Sequence, residues 1–168
     1  MNRTFASLIT LLLMAFLMTG CWGEPRPAGM PKLYPASIVV TQEGTPLEGA
    51  SVQLFPEDSA NSQWGPGGMT DASGVAELRT NGKYPGAPLG SYKVVVTKHG
   101  FEPHPHPEWA DLPESDPNRW KYLQIQEGLK AFELVETKYS LLKETPLRVE
   151  ITAKEKTYPV DAGSKPKK

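Results

Sequence analysis

The sequence predicts an all-β fold, a seven-stranded β-sandwich interrupted by one loop-and-short-helix insertion, and three observations carry that prediction. First, apolar and polar residues alternate in short runs. Tyr92, Val94 and Val96 alternate with Lys93, Val95 and Thr97, and Leu147, Val149, Ile151 and Ala153 alternate with Arg148, Glu150, Thr152 and Lys154, the two-residue period of half-buried strands. Second, 17 prolines and 15 glycines are scattered along 168 residues, which suits many short strands joined by turns better than long helices. Third, the stretch from Gly67 to Lys98 holds two strands about a tight turn, then a Gly/Pro loop and a third strand. Its turn, Asp71-Ala72-Ser73-Gly74, begins with a carboxylate that can cap its own backbone and ends in a glycine suited to positive φ. Two strands are expected to meet there as a hairpin.

The remaining elements follow in order. Ser37 to Gln42 is β-branched and apolar, the segment Glu43 to Gly49 turns the chain, and Ala50 to Phe55 places Ala50, Val52 and Leu54 on one face; these two strands are expected to form the first hairpin. Met69 and Thr70 end a short third strand, and after the turn Ala76, Leu78 and Thr80 alternate with Val75, Glu77 and Arg79. Lys83 to Gly90 is a loop leading to the strand Ser91 to Lys98. Leu147 to Lys154 and Thr157 to Val160 are the last two strands, before a basic, disordered tail over residues 162–168.

With 39% hydrophobic and 22% charged residues, the chain has the composition of one globular domain with appendages. The formal net charge of -1 lacks the clustered basic surplus of a nucleic-acid binder, so no nucleic-acid partner is expected.

Residues 1–20 read as an export signal: Arg3 is the only charge, and an apolar run from Phe5 to Met18 follows. That run is shorter than the roughly 20 apolar residues a membrane-crossing helix needs. The only cysteine comes next, and Leu17-Met18-Thr19-Gly20-Cys21 resembles the bacterial lipobox, with Met18 where leucine is usual. The resemblance implies cleavage before Cys21, diacylation of its sulfur with fatty acids such as palmitate, and a lipoprotein held in the membrane by that lipid. A lone thiol in an exported chain has no disulfide partner, and acylation would consume it; the alternative is a simple signal cut elsewhere, leaving Cys21 free. Several acyl chains, at about 0.8 kcal/mol per buried methylene, anchor a protein firmly. By resemblance to proteobacterial lipoprotein sorting, Trp22 rather than aspartate after the cysteine implies the outer rather than the inner membrane, with the domain facing the periplasm or the cell surface. Residues 21–36, with Pro25, Pro27, Pro31 and Pro35, form an extended spacer, and the sandwich spans 37–161.

The pattern Gly44-Thr-Pro-Leu-Glu-Gly-Ala-Ser-Val-Gln-Leu-Phe55, then Thr70-Asp-Ala-Ser-Gly-Val-Ala-Glu-Leu78, then Leu89-Gly-Ser-Tyr-Lys-Val-Val-Val-Thr97, resembles the carboxypeptidase regulatory-like or transthyretin-like (prealbumin-like) domain. Val135 to Ser140 followed by Thr145 to Ile151 is similar to the end of small planctomycete-type lipoproteins carrying that domain. The resemblance implies an Ig-like/transthyretin-like sandwich used for rigidity or adhesion, without catalytic activity. The hydroxyisourate hydrolases among transthyretin relatives end in Tyr-Arg-Gly-Ser and place paired histidines on strands, whereas this chain ends Gly-Ser-Lys-Pro-Lys-Lys and puts no histidine on a predicted strand. Adhesin relatives crosslink a strand lysine to asparagine or aspartate, and Ser37 to Gln42 holds no lysine.

The insertion covers about residues 99–135. All three histidines, His99, His104 and His106, lie in the segment His99 to Trp109. In an extended chain His104 and His106 project to one side, as metal ligands would, with Glu102, Glu108 or Asp111 as a third donor. Alternating prolines, however, favour an open polyproline-like loop, and no metal or other cofactor is expected. Asp116 as N-cap and Pro117 at the first position start a short helix ending at Gly128, with Trp120 and Leu123 on its inner face and the helix, with Trp109, covering an open end or edge of the sandwich. The competing reading makes Trp64, Trp109, Trp120 and Tyr122 an exposed aromatic platform for sugar or peptide.

Phosphate-binding glycine loops, GxSxG, HExxH and paired-cysteine motifs are all missing from the sequence, so no enzymatic activity is expected. The leading expectation is a lipid-anchored, non-catalytic structural or interaction module of the cell envelope, with an unidentified protein or glycan partner. The rivals are a carbohydrate- or metal-binding lipoprotein using residues 99–127, and a lipoprotein subunit of an envelope assembly.

Overall fold

The computed structural model describes residues 26–58 and 61–166. The chain divides into residues 1–30 and 31–168, and the fold belongs to the second part. In chain order its elements are β1 (Ser37–Gln42), β2 (Thr45–Pro46), β3 (Ser51–Pro56), β4 (Pro66–Met69), β5 (Val75–Glu77), β6 (Arg79–Thr80), β7 (Tyr84–Pro85), β8 (Gly90–Thr97) and β9 (His99–Phe101), then helix α1 (Pro117–Gly128), β10 (Ala131–Glu133), helix α2 (Thr137–Ser140), β11 (Arg148–Ile151) and β12 (Thr157–Asp161).

Strands dominate and form three sheets. In the first, β1 pairs in parallel with β12, Ser37 opposite Thr157 through Thr41 opposite Asp161, while β2 and β5 pair antiparallel along its other side. The second is antiparallel, in the order β11-β8-β3-β4-β6-β7. The third is the two-stranded ribbon β9–β10. Alternation supplies the apolar faces: Ile38, Val40, Ala76, Tyr158 and Val160 come from the first sheet, and Ala50, Val52, Leu54, Tyr92, Val94, Val96, Val149 and Ile151 come from in and beside strands of the second. All are buried in one contiguous core, giving a β-sandwich-like architecture.

The buried Tyr92 hydroxyl donates to Pro88 O at 2.8 Å, tying the start of β8 to the loop before it. Burial pushes its phenol up to about 12.

Each segment expected to be extended contains strand, but the count of seven and two of the pairings do not hold. The run from Val75 to Thr80 is split into β5 and β6, which lie in different sheets, and β2, β7, β9 and β10 are additional short strands. The expected hairpin of β1 with β3 does not form. Glu43 and Gly44 both take positive φ (52° and 76°), a two-residue turn that folds β2 back on β1; Leu47 N then donates to Val40 O, and the chain crosses to the other sheet before β3. The Asp71–Gly74 turn has the expected chemistry, since Asp71 Oδ1 accepts from Ser73 N (2.8 Å) and Val75 N (2.9 Å) and Gly74 has φ 75°. Yet it does not join paired strands: β4 runs in the second sheet and β5 in the first, so the turn is a corner between layers.

Packed chain also extends past both expected limits of the sandwich. Leu33 and Ala36 are buried, and Tyr34 exchanges two backbone hydrogen bonds with Ala87 (2.8 and 2.9 Å). At the other end Ala162 is buried and the Ser164 hydroxyl contacts the Glu136 carboxylate. Lys138, 2.8 Å from Glu136, and then Ser164 hold that carboxyl below its ordinary range. Ala153, expected to face inward, is exposed because β11 ends at Ile151.

Candidate functional site

Among the described residues no helix is long and apolar enough to cross a membrane. Cys21, the export signal and Trp22 lie outside the described residues. Within them, the unusual chemistry gathers on and beside the 99–135 insertion.

Ribbon β9–β10 forms its base. Its register sets Gly100 opposite Phe132 and His99 opposite Glu133, so Lys98, Gly100, Glu102, Phe132 and Leu134 share one face and His99, Phe101, Ala131 and Glu133 the other. Phe132 folds over Gly100: a Cβ there would sit 2.7 Å from its ring. On the opposite face His99 Nδ1 lies 3.3 Å from Glu133 Oε1.

The loop beyond uses its histidines as braces. His104 Nδ1 accepts the His106 backbone N–H at 2.9 Å, which leaves its Nε2–H to donate to Tyr122 O at 3.1 Å; its ring lies 4.1 Å from that of Tyr122, centroid to centroid. His106 stacks on Trp109 at 4.0 Å, nearly parallel, and its Nδ1 meets Glu108 Oε1 at 3.2 Å. The Glu108 carboxyl is held below its ordinary range by its own backbone N–H and then by His106. Both His104 nitrogens are thus engaged and His99 turns to the ribbon, so His99, His104 and His106 do not converge; no metal-ligating group of three or more His, Cys, Asp or Glu occurs among the described residues. The pairing of His104 with His106 on one side, as an extended chain would give, is replaced by a hydrogen bond between them.

Helix α1 begins as the sequence specifies, the Asp116 side chain accepting from Asn118 N at 2.8 Å. Its packing differs from expectation. None of its residues is buried, Leu123 is exposed and Trp120 is 67% exposed, so the helix presents these residues to solvent and does not cover the sandwich with them. Instead Arg119 fixes it to the loop, contacting Ala110 O and lying 5.5 Å over the Tyr122 ring. The four-residue aromatic platform is not assembled: Trp64 is buried at 6% exposure, Trp109 and Tyr122 are covered by His106 and His104, and Trp120 alone stands free.

A groove of about 860 Å³ runs between the ribbon face and the β1–β2 turn. Leu47, Phe132 and Leu134, with Pro46, Pro103 and Pro166, give it an apolar lining; Glu43, Glu102, Lys98 and Lys165 stand around it. One buried polar side chain lines it, Gln42, 6% exposed. Its Nε2 donates to Leu134 O at 2.9 Å and reaches Ser164 O at 3.5 Å, while its Oε1 has no hydrogen-bond partner among the described residues.

Sequence reasoning missed this groove. The Lys98/Gly100/Glu102 and Phe132/Leu134 alternations were its only local signal, and Gln42 lies 92 positions from its partner Leu134. Compared with protein-family models, with curated proteins and with solved structures, the chain matches none.

Proposed function

We propose that this chain is a lipoprotein of the cell envelope, anchored through Cys21, whose sandwich of the carboxypeptidase regulatory-like, Ig-like/transthyretin-like kind serves as a non-catalytic interaction module. The observation that carries the reading is the Leu17-Met18-Thr19-Gly20-Cys21 sequence directly after an apolar export run, with the only cysteine of the chain at its end. A mostly β domain with its core closed between two sheets supports the rest, since such a domain offers rigidity and loops for contact. The outer membrane is the proposed address, on the strength of Trp22.

A second reading, ligand binding at the insertion, is favoured by the groove with its free Gln42 acceptor; a subunit role in a larger envelope assembly is the third. The test of the anchor is metabolic labelling with a palmitate analogue in cells making the wild-type chain or Cys21→Ser. Label on the wild type and none on the variant is expected, with the variant moving to the soluble fraction. Equal labelling of both would refute lipidation at Cys21.

A further inference from the structure

Three features of the groove between β1–β2 and the ribbon bear on what it can bind. The first is Gln42. The residue is only 6% exposed, its nitrogen is spent on the Leu134 carbonyl, and its Oε1, with no partner among the described residues, is open to solvent at the groove. An acceptor open to solvent in this way can take a ligand N–H in place of water. The second is the backbone of Glu43, which has φ 52°, a conformation disfavoured for a side chain of this kind; it is held by a bond from Glu43 N to Gly163 O at 3.0 Å and sets the Glu43 carboxylate at the groove. The third is charge. Glu43 and Glu102 on one hand, and Lys98 and Lys165 on the other, all line the groove, and none of the four has an ion pair among the described residues.

We propose that this groove binds an extended oligopeptide that carries both charge signs around an apolar centre, a segment of a protein partner. Apolar side chains would rest on Phe132, Leu134 and Leu47, and a main-chain N–H would donate to Gln42 Oε1. An acidic and a basic side chain would meet the unpaired lysines and glutamates. The free charges of both signs select against a polyanion and a polycation alike. The inference names the partner chemistry of the interaction module and stands apart from the lipid at Cys21, so either can fail alone.

The probe is the blocked pentapeptide acetyl-Lys-Val-Leu-Val-Glu-amide, titrated into the full chain in mild detergent and followed by amide NMR, beside the same peptide with two lysines or two glutamates. Saturable shifts at the Gln42 side-chain amide, Phe132 and Leu134 are expected, with the like-charged peptides weaker by about two- to fivefold, the worth of an exposed ion pair. Phe132→Ala, at a half-exposed ribbon position that the core does not need, should weaken binding about tenfold, and Glu102→Gln should erase the preference over the two-glutamate peptide. Trp120→Ala, on α1 away from the groove, should change nothing. Absence of saturable shifts, shifts centred on Trp120, or equal binding of all three peptides to the wild type would each overturn the proposal.

Discussion

Burial holds the Tyr92 phenol neutral, and the consequence is a pH dependence of stability with a defined sign. Its pKa is raised from 10.0 to about 12 in the folded chain, so the stabilisation it gives is complete below pH 10 and is lost as pH rises through about 12. Tyr92→Phe removes the bond to Pro88 O at a cost of about 1 kcal/mol at neutral pH, but it also removes the titration. Urea unfolding of both proteins should show the wild type more stable at pH 7 and its advantage shrinking, then reversing, between pH 10 and 12; a constant difference would refute the assignment. The two tryptophans that sequence reasoning grouped together separate at the same scale. Trp64→Ala should cost about 3–5 kcal/mol, as for a large buried aromatic, and Trp120→Ala less than about 0.5 kcal/mol, as for an exposed position. Thermal unfolding distinguishes them. Periodicity could not assign them, because Trp64 lies in a loop with no alternating pattern and Trp120 lies on a helix whose outer face carries apolar residues; local chemistry such as the Asp71 cap, Gly74 and the Asp116 N-cap was legible because each partner lies within four residues.

At the scale of elements, the strand faces were legible and their neighbours were not. The inward sets of β1, β3, β8 and β11 follow from a two-residue period alone. Pairing depends on which distant segment fills the adjacent slot: β1 takes β12, about 120 positions away, in a parallel ladder that no turn chemistry announces. That ladder makes β12 an edge of the first sheet. Ser37 N donates to Lys156 O and Ala162 N to Thr41 O, so even-numbered residues of β12 face β1 and Thr157, Pro159 and Asp161 turn their main-chain groups outward. Pro159 thus stands where it costs the ladder nothing and denies an incoming strand a donor. Pro159→Val restores that donor, and sedimentation velocity should show concentration-dependent association that the wild type lacks; an unchanged monomer would show that the edge is guarded by something else.

For the whole molecule, a compact core between two sheets and an insertion carried outside it divide the tasks of stability and recognition. None of the residues of α1 is buried and the insertion joins the core only at its end, through Val135, so its helix is free to vary without unfolding the sandwich, whereas Gly68, where a Cβ would lie 2.5 Å from Glu77 O, ties β4 closely to β5 across the layers. The groove was hidden from sequence because it is made by surfaces that meet only after the sandwich closes. The anchor, in contrast, is written entirely in consecutive residues, and the account as a whole depends on it. Intact-mass spectrometry of the chain purified from membranes decides the matter most directly: a polypeptide starting at Cys21 and heavier by a diacylglyceryl group is the expected result, and an unmodified thiol at residue 21, or a chain still carrying residues 1–20, would contradict it.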